Sequence, residues 1–128
     1  MSRILGIDFG DKRVGLALGE SGGSAFPFKV ISNEGEDILI KNITEIIRAE
    51  HVGLVVVGLP LSLSGAPNER WQLTKNFIDR LASALPVPVE TMDERLTSKL
   101  YSRQGVSRDI DKHAAAAILD TYLQANVS

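Results

Sequence analysis

Residues Leu54, Val55, Val56 and Val57 are apolar without a break. A strand that shows one face to water alternates apolar and polar residues. A strand apolar at every position is covered on both faces. This segment therefore predicts a central strand with cover above and below it, as in a layered α/β fold.

The flanking patterns supply the layers. Arg3 to Asp8 is a short apolar segment ending on an acid, and Phe9-Gly10-Asp11-Lys12 offers turn chemistry. Val14, Leu16 and Leu18 then alternate with Gly15, Ala17 and Gly19, giving a strand with a bulky face and a small face, the latter suited to close packing. After the turn Gly22-Gly23-Ser24, Phe26 to Ile31 reads as a third strand with Pro27 near its start. Short turns make these three an antiparallel meander. Leu39, Ile43, Ile46 and Ile47 mark an amphipathic helix from about Glu36 to Glu50. Beyond the central strand, a second helix is expected from about Pro67 to Leu85, with Thr74, Phe77, Ile78, Leu81 and Leu85 on one side, followed by a strand from Val87 to Met92. Thr97 then suits an N-cap, Leu96 and Tyr101 a hydrophobic staple, and Gly105 the end of a short helix. A last helix runs from about Asp111 to Ala125 with Ala115, Ile118, Leu119 and Tyr122 inward. The order β-β-β-α-β-α-β-α-α predicts a five-stranded mixed sheet with helices on both faces, in which the first, fourth and fifth strands are parallel neighbours.

At 128 residues and 44% hydrophobic the chain suits one domain, 1–128, with one core. The absence of cysteine excludes disulfides, thiolate zinc sites and cysteine nucleophiles. No apolar run reaches the roughly 18 residues of a membrane span, and Met1 to Leu5 lacks the look of a secretory signal, so a cytoplasmic protein with no membrane partner is expected. The net charge of −2 provides no global attraction to polyanions; a nucleic-acid partner requires local cations or bound metal.

Three acids fall where such a fold gathers chemistry. Asp8 closes the first strand, and strand ends in open α/β sheets commonly carry ligands, although an aspartate there also serves a turn. Asp93 and Glu94 leave the fifth strand at the same predicted rim. Consecutive strand residues face opposite sides, which lets one of the two into a site; Glu94 is taken as that one, with Asp93 orienting a neighbour, against the plainer reading of an ion pair with Arg95. Asp111 opens the last helix, where a cap or a partner for the helix dipole is the ordinary role. The run Ala114 to Ala117 offers a nearly bare helix surface that lets this helix lie close to the sheet and bring Asp111 to the rim. Converging carboxylates repel unless a cation sits between them, and an all-oxygen set suits Mg2+ or Mn2+. A pair of such ions activates water on one side of a phosphodiester and stabilises the leaving oxygen on the other, with no side-chain nucleophile.

Other features carry less. Gly58 to Gly65 reads either as a phosphate-cradling loop or as a plain strand-to-helix connection. Lys12 and Arg13 are candidate phosphate contacts beside Asp8, or a solvated turn. Trp71 lies off the apolar stripe and reads as a cover for the core edge, with base stacking or a dimer contact as the alternatives. His51 and His113 lack metal-ligand spacing.

Taken together, Gly6-Ile7-Asp8-Phe9-Gly10 with Arg13-Val14-Gly15-Leu16-Ala17, Val57-Gly58-Leu59-Pro60-Leu61 with Gly65, Asp93-Glu94-Arg95-Leu96-Thr97, and Asp111 followed by Ala114-Ala115 and Ile118-Leu119 resemble the YqgF (RuvX) family of RuvC-like, RNase H-fold proteins, in that family's order and over nearly the whole chain. The resemblance implies a cytoplasmic, metal-dependent nuclease of ribosome biogenesis that matures the 5′ end of precursor 16S rRNA, with Holliday junction resolution as the alternative described for some members. It matches the family's three acids to Asp8, Glu94 and Asp111. Relatives often carry a longer basic stretch before the last aspartate; here Tyr101 to Ile110 holds only Arg103 and Arg108. With Arg95, Lys12 and Arg13 these are the expected substrate contacts, and the short stretch points to weak affinity, or to help from a ribosomal particle or a second subunit; monomer and homodimer both stay open. Two rivals remain. Ile7-Asp8-Phe9-Gly10 also resembles the first phosphate motif of actin-like ATPases and sugar kinases, which close two such domains around a nucleotide where this chain supplies one. The other rival is a non-catalytic module of ribosome assembly or transcription.

Overall fold

The computed structural model describes residues 3–20, 23–59, 69–93 and 110–125, and at 93, 110–113 and 124–125 the backbone only. Its strands are β1 (Arg3–Asp8), β2 (Arg13–Glu20), β3 (Phe26–Ser32), β4 (Val52–Leu59) and β5 (Val89–Asp93), and its helices α1 (Glu36–Ala49), α2 (Glu69–Ala84) and α3 (Ile110–Ala125). The expected short helix at Thr97–Gly105, the start of the second helix at Pro67 and most of the Gly58–Gly65 loop lie outside the described residues.

The strands form one mixed sheet in the order β3-β2-β1-β4-β5. β1, β2 and β3 are the antiparallel meander, and β4 runs parallel to both β1 and β5. Two irregularities leave one residue over. On β4, Arg3 pairs with Val52 but Ile4 with Leu54, and this bulge at Gly53 lets Val52 share a face with Val55. On the outer strand β3, Leu16 pairs with Lys29 and Ala17 with Pro27, so the proline sits at a bulge of an edge strand, where a missing N–H costs least.

The alternation read from the sequence sorts residues onto two faces. Leu5, Ile7, Val14, Leu16, Leu18, Val55 and Val57 pack against Leu39, Ile43 and Ile47 of α1 and Phe77, Ile78 and Leu81 of α2. On the opposite face Ile4, Ala17 and Val56 meet Ala115, Ala116, Ile118, Leu119 and Leu123 of α3. Val55, Val56 and Val57 are each fully buried, as a strand covered on both sides requires.

The small face of the sheet sets the depth of α3. A Cβ built on Gly6 would lie 3.0 Å from the Ala115 carbonyl oxygen and 3.0 Å from Leu119 Cβ, so the helix rests directly on the β1 backbone. Two polar contacts fix its second half. Asp120 Oδ1 accepts the Ala25 N–H at 2.7 Å, and the Tyr122 hydroxyl donates to Glu90 on β5 at 2.5 Å. On the other face, Arg80 of α2 donates to Glu36 and Asp37 in the first turn of α1 at 2.6 and 2.5 Å. None of the helices of the described residues is long and apolar enough to cross a membrane.

Candidate active site at the carboxyl rim of the sheet

Asp8 is the last residue of β1 and pairs with Gly15 across the antiparallel ladder. Side chains alternate along a strand, so Asp8 shares the α3 face with Ile4 and Gly6, and it is half-buried there. Ile7 pairs with Val57, and Leu59, at the end of β4, pairs with Asp93, at the end of β5. The carboxyl ends of the three parallel strands thus share one rim, as the sequence led us to expect.

The direction of α3 follows from its contacts. Leu119 and Leu123 lie over Gly19, which pairs with Ile4, whereas Ala115 and Leu119 lie over Gly6. The helix therefore runs antiparallel to β1. Two strand residues advance about 6.7 Å and one four-residue step of helix about 6 Å. Position 111, one such step ahead of Ala115, comes level with the Asp8 end of β1.

The turn that follows Asp8 is held from three sides. Asn33 Nδ2 donates to the Gly10 carbonyl at 2.8 Å, and the Asn33 N–H donates to the Lys12 carbonyl at 2.9 Å. Asn33 Oδ1 in turn accepts the Gly35 N–H at 3.2 Å. From α2, Arg70 Nη2 reaches the Phe9 carbonyl at 3.4 Å. Beneath the turn the Phe9 ring stacks on Phe77 with centroids 4.2 Å apart. A Cβ on Gly10 would fall 2.4 Å from the Arg13 carbonyl oxygen, so glycine is required there. Lys12 and Arg13 are exposed on this turn.

Sequence reasoning did not single out Asn33, Arg70 or the role of Phe9. Phe9 was recoverable, because it continues the Leu5, Ile7 spacing. Asn33 reads as local turn chemistry, and nothing local announces a reach back across 23 residues.

The remaining expected site residues are placed as follows. Glu94, Arg95, Arg103 and Arg108 lie outside the described residues, and Asp111 is described as α3 backbone only. Among the described residues no group of three or more His, Asp or Glu forms a metal cluster; of the three expected acids, only Asp8 is described with its side chain. Trp71 is half-buried near the start of α2, off its buried stripe, and His51 is exposed with φ of 56°.

The resolved electrostatic shifts belong to the scaffold. Hydrogen bonds that Arg80 donates to Asp37 and then to Glu36 raise its pKa, which keeps the α1–α2 tie charged. The Glu90 hydrogen bond, with some help from burial, pushes the Tyr122 phenol up to about 12. Both ties hold helices in place.

A sequence model of the RuvX family, described as Holliday junction resolvase, matches residues 2–125. This chain belongs to the RuvX family. It is 38% identical to a protein of Desulforudis audaxviator named "Putative pre-16S rRNA nuclease", over 98% of this chain and 96% of that one. A protein of the same name from Maridesulfovibrio salexigens is 37% identical over 94% and 97%. Among solved structures, Thermus thermophilus RuvC in complex with a Holliday junction superposes with a TM-score of 0.65 at 14% identity, over 99% of this chain and 98% of that one. The fold of this RuvX-family chain is therefore RNase H-like, of the RuvC type, and the enzyme class that goes with the family is a nuclease.

Proposed function

We propose that this RuvX-family chain is a metal-dependent nuclease that hydrolyses phosphodiesters in structured nucleic acid, with the 5′ end of pre-16S rRNA as its substrate. One observation carries the reading: Asp8 stands at the carboxyl rim on the α3 face, level with the start of α3, where Asp111 lies. The alternation of β5 supports Glu94 as the third acid. Glu90 bonds Tyr122 of α3 and Met92 packs in the α3-side core, and position 94 has their parity. The names of the relatives favour precursor rRNA over DNA.

The donor set fits a hard cation. Asp8 offers a half-buried carboxylate at the rim, and the chain has no thiol. Asp8, Glu94 and Asp111 would hold Mg2+ or Mn2+, and such ions activate water and stabilise the leaving oxygen. The chain's own part is positional. The Asn33 clamp and the Phe9–Phe77 stack fix the backbone on which Asp8 stands. Lys12 and Arg13, with Arg95, Arg103 and Arg108, hold phosphates and neutralise their charge. Because the net charge is −2, this contact is local and sensitive to salt. The reading places residues 1–128 in the cytoplasm as a single domain acting on a ribosomal precursor.

A cleavage panel tests the proposal: precursor 16S rRNA, single-stranded RNA and a four-way DNA junction, each with Mg2+ or Mn2+. Metal-dependent cleavage of the precursor is expected, reduced at least about 100-fold by Asp8→Asn. Loss of a metal ligand leaves the fold intact, and removal of one of several repelling carboxylates leaves the metal-free protein at least as stable. Cleavage of the junction alone would instead assign the chain to Holliday junction resolution, which the family description and the RuvC-like fold favour. Cleavage unaffected by Asp8→Asn, or a large loss of metal-free stability in that variant, would make Asp8 a structural acid and refute the reading.

A further inference from the structure

Three long cations of the described residues are held by carboxylates. Arg3 is held by Glu50 at 2.7 Å, Lys75 by Asp79 at 2.9 Å, and Arg80 by both Glu36 and Asp37. The Arg3 and Arg80 pairs tie one part of the scaffold to another, and the Lys75 pair lies within α2. Arg70 differs: among the described residues no carboxylate pairs with it, and its hydrogen bond is the 3.4 Å contact to the Phe9 carbonyl. That contact is exposed and at the outer limit of hydrogen-bonding distance, so it is worth little. A guanidinium carries five N–H donors, and this one leaves most of them to solvent, directly beside the residue that follows Asp8.

The placement is built from the core outward. Thr74, one turn along α2 from Arg70, is 1% exposed, and Phe77 is fully buried and stacked on Phe9. Residues four apart share a helix face, so the Arg70 stem leaves α2 on its core-facing side and crosses the rim to the β1–β2 turn. The same turn presents Lys12 and Arg13. Cations from two elements separated by 61 residues in sequence thus flank the backbone at Asp8. In a chain with net charge −2, such a local cluster is what draws a polyanion to the acids.

We infer that Arg70 is a phosphate-binding residue of the rim, contacting the backbone of the nucleic acid beside Asp8. The inference rests on the nuclease reading and adds to it a contact from the far side of the β1–β2 turn. A planar fork of donors suits a phosphate oxygen pair better than a lone carbonyl, so substrate displaces the weak Phe9 contact at little cost.

The test uses the full chain carrying Asp8→Asn, so that substrate survives, with a labelled precursor 16S rRNA fragment and a labelled four-way DNA junction titrated at several salt concentrations. Adding Arg70→Ala should weaken binding about 5- to 10-fold and reduce the slope of log affinity against log salt by about 1, with an unchanged thermal melt. Arg70→Lys should restore the slope and part of the affinity, because it keeps the charge and loses the fork. Kinetics in the otherwise wild-type chain should show the defect in KM rather than kcat. Affinity and slope unchanged in Arg70→Ala would overturn the inference, as would a kcat loss at constant affinity, which would mean that Arg70 only braces the turn. If the parent binds neither nucleic acid, the nuclease reading falls with it; if the parent binds and Arg70→Ala binds equally, only the Arg70 inference falls.

Discussion

Gly6→Ala tests what seats α3. The added methyl would lie 3.0 Å from the Ala115 carbonyl oxygen and 3.0 Å from Leu119 Cβ, against the roughly 3.5–4.0 Å of ordinary carbon contacts. Neither neighbour is the free end of a flexible chain, since one is helix backbone and the other is the root of a side chain. The helix must therefore rise by about half an ångström. Overpacking of this kind costs ~1–3 kcal/mol, offset by ~0.5–1 kcal/mol because alanine loses less chain entropy in a strand than glycine. The expected net is a loss of about 0–2.5 kcal/mol, centred near 1, read in urea as a lower midpoint at constant slope and in a thermal melt as a fall of roughly 3–5 °C for a loss of about 1 kcal/mol. Because α3 also carries Asp111 at its start, cleavage should fall further than the folded fraction does under conditions where the protein is fully folded. Gly19→Ala is the control. Its nearest contacts are the ends of Leu119 and Leu123 at 3.2 Å, with Ala25 Cα at 3.3 Å; leucine ends can turn aside, so the loss should be smaller. A Gly6→Ala protein as stable and as active as the parent would refute the claim that direct helix-to-strand contact sets the rim geometry.

Three further outcomes follow from single side chains. Thr74 Oγ1 is buried with no hydrogen-bond partner, so Thr74→Val should stabilise the protein by about 1 kcal/mol, measured by urea unfolding, because it removes an unpaid desolvation while keeping the shape. Tyr122 holds its proton to about pH 12; a raised pKa contributes stability that is complete below the ordinary value near 10 and is lost as pH climbs toward 12, so unfolding curves should show a decline in that window that Tyr122→Phe abolishes. Asp111 is the second residue of α3, where an acid gains only about 0.3–1 kcal/mol from the helix dipole, so Asp111→Asn should lower the melting temperature slightly while cleavage falls steeply and excess Mn2+ restores part of it; cleavage that falls no further than stability does would return Asp111 to a helix-dipole role.

Much of the architecture was legible because it rests on periodicity. The unbroken Leu54–Val57 run required cover on both faces, and it has it. The small face of Gly15, Ala17 and Gly19, together with the Ala114–Ala117 run, forecast a helix lying close on the sheet, and α3 does so. Helix faces read from three- and four-residue spacing matched the buried residues of α1 and α2 almost one for one. Ends were less legible. The fifth strand begins at Val89 rather than Val87, since the Pro88 carbonyl accepts from Val55 before regular pairing starts, and a proline cannot donate to the ladder.

Of the candidate site, the sequence by itself determined that Asp8 closes a strand and that only one of Asp93 and Glu94 shares its face, because the alternation of a strand is fixed by backbone geometry; the α3-side contacts of Glu90 and Met92, which favour Glu94 by parity, came from the tertiary structure. The sequence also determined that a bare helix would approach a bare strand. Tertiary structure alone decided the direction and depth of α3, which bring position 111 level with Asp8, the clamp of Asn33 on the turn after Asp8 and the approach of Arg70 to that turn. Those contacts join residues 23 and 61 positions apart. No local pattern encodes such partners, because their meeting depends on how α2 and the β3–α1 link pack once the sheet has formed.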